Sequence, residues 1–183
     1  MSQSFNTNNF SLQAQLSAIN SDGYRENNHM RKRTALLTGS VNLKLLDLDY
    51  FFYTTYLNAG IPSSLGKTLF ETSPKSAAQN WKEIEGYKRY QKGVGGISLV
   101  NQFRSNWNNK LILFGKWNDS YERRPFNNLD DGSLGGGIRN KLTYHSAKTD
   151  VIVGVEWTTD EYKWLIDKND VCYLIFIITI DYR

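Results

Sequence analysis

The sequence predicts a mainly β protein, an antiparallel sandwich or barrel, and three observations lead there. Eight segments are rich in β-branched and aromatic residues, several in alternation with polar ones. Clusters of Gly, Pro, Asn, Asp and Ser bound each of them. Helical periodicity is confined to two short stretches.

Along the chain, the first helical candidate is 11–20, where Leu12, Leu16 and Ile19 keep the spacing of one helical face behind a capping Ser11. The segment "VNLKLLDLDY" (41–50) alternates, slips phase at Leu45 and Leu46, and resumes, which predicts a half-buried strand with a bulge. Further strands are expected at "KTLFE" (67–71), "WKEIEGYKRY" (81–90), "VGGISLV" (94–100), "KLILFGKW" (110–117), "IRNKLTYH" (138–145) and "VIVGVEW" (151–157). In "TTDEYKWLIDK" (158–168), Thr159 can cap a second helix with Asp160 and Glu161 in its first turn. The last strand, 171–183, contains the longest apolar run, half of the roughly 20 residues that a membrane-crossing helix requires.

Composition narrows the function classes. At 183 residues the chain is long enough for one core-bearing domain, and its 14% aromatic content argues against disorder. The net charge of +4 favours anionic partners only weakly. Cys172 stands alone, so neither an intramolecular disulfide nor a cysteine-based zinc site is available, and no cofactor or metal is expected. The polar first thirty residues lack a secretory signal's apolar core, so the chain reads as cytosolic when made, or as secreted and already processed.

Chemistry-bearing motifs are few. Ser146, His145 and Asp150 could be written as a triad, but no motif surrounds them, and the chain does not read as an enzyme. "DDGSLGGGIR" (130–139) lacks the Gly-Lys-Ser/Thr of a phosphate loop and reads as a turn feeding a strand. "RKR" (31–33) reads as a solvated linker, and nucleic acid is not an expected partner. The stretch "FRSNWNNKLILFGKWNDSYERRPF" (103–126) is different, because Phe103, Trp107, Tyr121 and Phe126 sit among loop-forming residues beside Arg104, Arg123 and Arg124. Rings of this kind suit a cationic headgroup, and the arginines suit a phosphate.

These residues carry a resemblance. "RKRTALLTGSVNLKLLDLDYFFYTTYLNAGIP" (31–62), "VGGISLV" followed by "RSNWNNKLILF", "SYERRPF" and "SLGGGIRNKLTYHSAKTDVIVGVEW" resemble, in order, segments of the actinoporin family of cytolysins and the related actinoporin-like fungal fruit-body lectins. The resemblance implies an antiparallel β-sandwich flanked by two short helices. It also implies a pocket for the phosphocholine of sphingomyelin or phosphatidylcholine, and oligomers at membrane surfaces. The resemblance implies Thr54, Ser98, Trp107, Tyr121 and Phe126 as site residues, and the aromatic and basic stretch itself adds Phe103, Arg104 and Arg124.

The expected organisation is a polar, amphipathic segment at 1–30, a sandwich domain at 31–157 and a helix–strand extension at 158–183. The function expected is lipid-headgroup binding with membrane permeabilisation. A sugar-binding lectin on the same sandwich and a self-assembling coat-like protein are the alternatives.

Overall fold

The computed structural model describes residues 1–168 and 171–182; from residue 168 onward only the backbone is described. The strands are β1 (Ser2–Asn6), β2 (Phe10–Ser21), β3 (Met30–Asn42), β4 (Asp47–Gly60), β5 (Tyr87–Arg104), β6 (Trp107–Arg123), β7 (Asn128–His145), β8 (Asp150–Lys168) and β9 (Val171–Tyr182). Two short helices, α1 (Lys67–Thr72) and α2 (Gln79–Glu83), lie between β4 and β5. All nine strands form one sheet in chain order, each antiparallel to the next, with β1 and β9 at its edges. β5 to β8 are 17 to 19 residues long, against the usual 3–10 or so of globular proteins.

Cross-strand partners point to the same side of a sheet, so the register assigns each residue a face. One row reads Leu12, Gly39, Tyr50, Ile97, Leu113, Ile138 and Trp157 from β2 to β8. Another, shifted by one residue along each strand, reads Ser11, Ser40, Asp49, Ser98, Ile112, Arg139 and Glu156. The sheet therefore has an apolar face and a polar face, and period-two alternation in the sequence produces both.

Glycines in the strands make room for rings. Gly93 lies opposite Trp117 in register, and a Cβ there would collide with the indole. The indole instead stacks on Phe52, with centroids 5.7 Å apart on the apolar face. On the polar face, Phe51 and Phe114 lean over Gly96 and Gly137 in the same way.

Among the described residues no second layer covers the sheet. Among the described residues the one buried apolar side chain is Ala77, in the connection between the helices, and Thr55, Ser120 and Thr143 are buried on the polar face. The accessible surface is 12918 Å², whereas a compact protein of 21.1 kDa exposes roughly 9000 Å². The apolar face is thus open along its length.

The connections differ at the two ends of the sheet. At one end the strands turn through 7–9, 43–46, 105–106 and 146–149. At the other end, 22–29 and 61–86 are knitted together. The Arg25 guanidinium donates to the carbonyls of Ser76 (2.9 Å), Ser63 (2.6 Å) and Pro62 (3.4 Å). Asn27 Nδ2 donates to those of Ile61 and Gly86. Glu26 accepts from Lys82 Nζ at 2.9 Å and from the Ala77 N–H at 3.3 Å. The lysine and the amide hold that carboxyl below its usual 4.5.

Several expectations are corrected. The fold is mainly β and antiparallel with two short helices, but it is one sheet and not a sandwich. Residues 11–20 lie in β2 and 158–168 in β8, so neither is helical. The stretch 119–126, for which the actinoporin resemblance implies a short helix, ends β6 and enters a tight turn. The helices fall instead where strands were expected, at 67–71 and at the start of 81–90. The phase slip at Leu45 and Leu46 is a hairpin turn, closed by paired backbone bonds between Leu43 and Leu46. The glycine run at 130–139 lies inside β7, and "RKR" opens β3. The final strand ends at Tyr182; Arg183 lies outside the described residues.

Candidate functional site

The polar face is laced with ion pairs across its strands. Lys88 meets Glu122 at 3.1 Å, and Arg139 meets Glu156 at 2.6 Å. Lys116 reaches Asp160 at 2.9 Å across β7, where their common register partner is Gly135. A Cβ at Gly135 would run into the Asp160 carboxylate.

The apolar face carries large exposed side chains in quantity, including Leu16, Phe52, Ile97, Leu113, Leu134 and Val155. Its polar intrusion is self-contained: Asn109 and Asn140 exchange amide hydrogen bonds of 3.0 and 3.1 Å, so each satisfies the other. Rings gather at both borders. Towards the short turns Trp107 packs on Tyr144 with centroids 4.9 Å apart, and on Phe103 at 6.3 Å. Towards the long connections Tyr121 packs on Tyr87 at 5.9 Å, with the Arg89 guanidinium 5.4 Å from its ring centre.

The eight expected site residues do not converge. Thr54 is on the apolar face, its Oγ1 donating to the Lys92 carbonyl at 3.2 Å. Ser98 is on the polar face, its hydroxyl oxygen buried and without a partner. Phe103, Arg104 and Trp107 lie at the short-turn end. Tyr121 is near the other end, with Arg124 bonded to Glu122 at 2.8 Å and Phe126 68% exposed in the turn. Trp107 and Tyr121 share β6, and at about 3.4 Å per residue they stand roughly 47 Å apart. One pocket cannot hold them both. His145 Nδ1 lies 2.9 Å from Asp150 Oδ1, but the Ser146 hydroxyl donates to the Thr149 carbonyl and accepts from the amides of Lys148 and Thr149, which closes the turn.

Composition and motif reading passed over a different grouping. A hollow of about 550 Å³ opens on the apolar face, lined by Leu16, Ala18, Ala35, Thr54, Tyr56 and Arg33. One register step beyond Arg33, towards the long connections, lies the row Arg31, Asn58, Arg89 across β3, β4 and β5. The Asn58 side-chain oxygen is buried and without a partner. Among the described residues the arginines in ion pairs are Arg124 and Arg139, so Arg31 and Arg33 have no ion-paired carboxylate, whereas Arg89 leans over Tyr121 in a hollow it shares with Asp119 and Asp130. The signal available in the sequence was the 31–33 cluster at the start of a strand, whose period of two places Arg31 and Arg33 on one face.

No protein-family model and no curated protein matches the chain. Among solved structures it is similar to the ferric citrate transporter FecA in its unliganded form, with a TM-score of 0.80 at 10% identity, covering 100% of this chain and 29% of that one. The sheet matches part of a barrel. At this identity the likeness concerns the fold, and the chain spans less than a third of the transporter's length. The resemblance to actinoporins is thereby overturned: a sandwich needs a second sheet over its apolar face, and this sheet has the form of a barrel segment. The motifs that carried it are strand–turn–strand patterns common to antiparallel proteins.

Proposed function

We propose that this chain forms part of the wall of a membrane-spanning β-barrel, with the apolar face towards lipid and the polar face towards an interior through which polar solutes pass. The observation that carries this reading is the open apolar face, which runs from β2 to β8 with no covering layer among the described residues. On β8 the outward residues Val151, Val153, Val155, Trp157 and Thr159 span nine positions before Glu161. That agrees with the roughly 9–11 residues of a tilted membrane strand. Aromatic clusters at both borders and short turns at one end fit the same architecture. No helix among the described residues is long and apolar enough to cross a membrane, a criterion that does not bear on strands. The likeness to a ferric citrate transporter supports a transport role for the assembled wall.

The test uses two tryptophans on one strand, Trp157 on the apolar face and Trp164 on the polar face. Variants retaining one or the other are refolded with phosphatidylcholine vesicles. Expected are flotation with the vesicles, quenching of Trp157 by lipids brominated on their chains, and quenching of Trp164 by aqueous iodide. A chain that stays behind in the dense fraction, or two tryptophans that respond alike, would overturn the reading.

A further inference from the structure

We infer that the hollow on the apolar face is a binding site for one phosphorylated acyl lipid, its chain along Leu16, Ala35 and Thr54 and its phosphate on Arg31 and Arg33. The inference rests on the membrane-wall reading and adds a ligand to it. Arg33, at the border of the apolar band, lines the hollow itself, and Arg31 follows two residues nearer the long connections. Arg31 and Arg33 are two residues apart on one face of β3, which sets their backbones about 7 Å apart. Long guanidinium side chains from that separation can converge on one phosphate, whose bidentate recognition suits arginine.

Three features distinguish this place from ordinary surface charge. The arginines have no carboxylate in ion-pair contact, although ion pairs are plentiful on the opposite face. Like charges neighbouring one another repel, and an anion between them removes the repulsion. The side-chain oxygen of Asn58, the register partner of Arg31, is an acceptor without a donor, and the P–OH of a singly protonated phosphate monoester supplies one. Finally, the small side chains Ala18 and Ala35 recess the surface below the guanidiniums, where an acyl chain extends into the membrane from a headgroup held at its border. The cation and the apolar floor are thus in the order in which a lipid presents its own charge and chain.

Native mass spectrometry of the full chain in zwitterionic detergent micelles tests this, with dipalmitoyl phosphatidic acid, dipalmitoyl phosphatidylcholine and inorganic phosphate as probes. The expected result is retention of one phosphatidic acid, at least tenfold preferred over phosphatidylcholine, with negligible retention of inorganic phosphate. Arg31→Gln with Arg33→Gln should lower that retention tenfold or more. Lys110→Gln with Lys141→Gln, on the polar face, should leave it unchanged. Ala35→Phe fills the hollow without touching the charge and should also lower it. Equal retention of both lipids, equal loss in the lysine variant, or inorganic phosphate binding as well as the lipid would overturn the inference while leaving vesicle flotation intact. Failure to float would overturn both readings.

Discussion

Val155 and Ile152 lie on the same strand with nearly equal exposure, 66% and 61%, but on opposite faces. In water the two should tolerate arginine alike. About a third of Val155 is covered, so the burial lost is that share of the roughly 1.5–3 kcal/mol for a whole side chain, or about 0.5–1 kcal/mol. In a bilayer the positions part. Val155 is central in the outward run from Val151 to Thr159, where a cation costs about 2–4 kcal/mol, while a position facing a watery interior costs little. Val155→Arg should therefore lower the folding equilibrium by about 30- to 700-fold, and Ile152→Arg should stay within about 1 kcal/mol of the parent. Asn140, opposite Val155, offers no relief because its amide is engaged with Asn109. Reversible urea unfolding in phosphatidylcholine vesicles, followed by tryptophan emission, measures both. Equal effects of the two substitutions would show that the apolar face does not meet lipid.

Three further outcomes are expected. Gly135→Val should cost about 1–3 kcal/mol in the same unfolding assay by forcing Lys116 and Asp160 apart; Asp160→Asn, which removes an exposed pair only, should cost under about 1 kcal/mol. Arg25→Ala removes charged donors from three carbonyls, roughly 2–3 kcal/mol of local stability, and should speed chymotryptic cleavage within 61–86 at least tenfold while the sheet unfolds as before. The knot is also pH-sensitive. Glu26 is held below its ordinary 4.5 by Lys82 and the Ala77 amide, so its stabilisation is complete above that value and is lost as pH falls through the lower, folded one. Hydrogen exchange at the Ala77 amide, corrected for intrinsic rate, should show protection at pH 6 and its loss at pH 3; protection unchanged by acid would remove Glu26 from the account.

Much of the strand pattern was legible, because 94–100, 110–117, 138–145 and 151–157 alternate with the period that the strands keep. The false helix at 11–20 has a physical origin. Residues four apart, such as Leu12 and Leu16, share a face in a helix and in a strand, and the discriminating Ile19 turns to the polar face of β2. Glycine misled in the other direction: Gly135 to Gly137 read as a turn, yet in β7 they clear space for an ion pair and for Phe114. What alternation cannot tell is what covers the apolar side, since a second sheet and a lipid bilayer ask for the same residues. Strand length carries that information, and it was obscured because polar ends such as Asn128 to Asp131 looked like loop. The arginine row was hidden for a further reason. Arg31 and Arg89 are 58 positions apart in the chain and become neighbours only through the pairing of β4 with both β3 and β5.

In the proposed membrane wall, the unequal connections would give the sheet a direction of travel. Its four short turns carry just Lys44 and Lys148 as formal charges, so threading that end through hydrocarbon drags little hydration behind it. The opposite end holds Arg25, Glu26, Lys82 and the helices in a bonded knot, and carrying it across would mean dehydrating several ions together. Hairpins entering from one side would therefore lead with their turns and stop when the knot meets the surface. Sidedness in the membrane would then follow from the order in which charge is encountered.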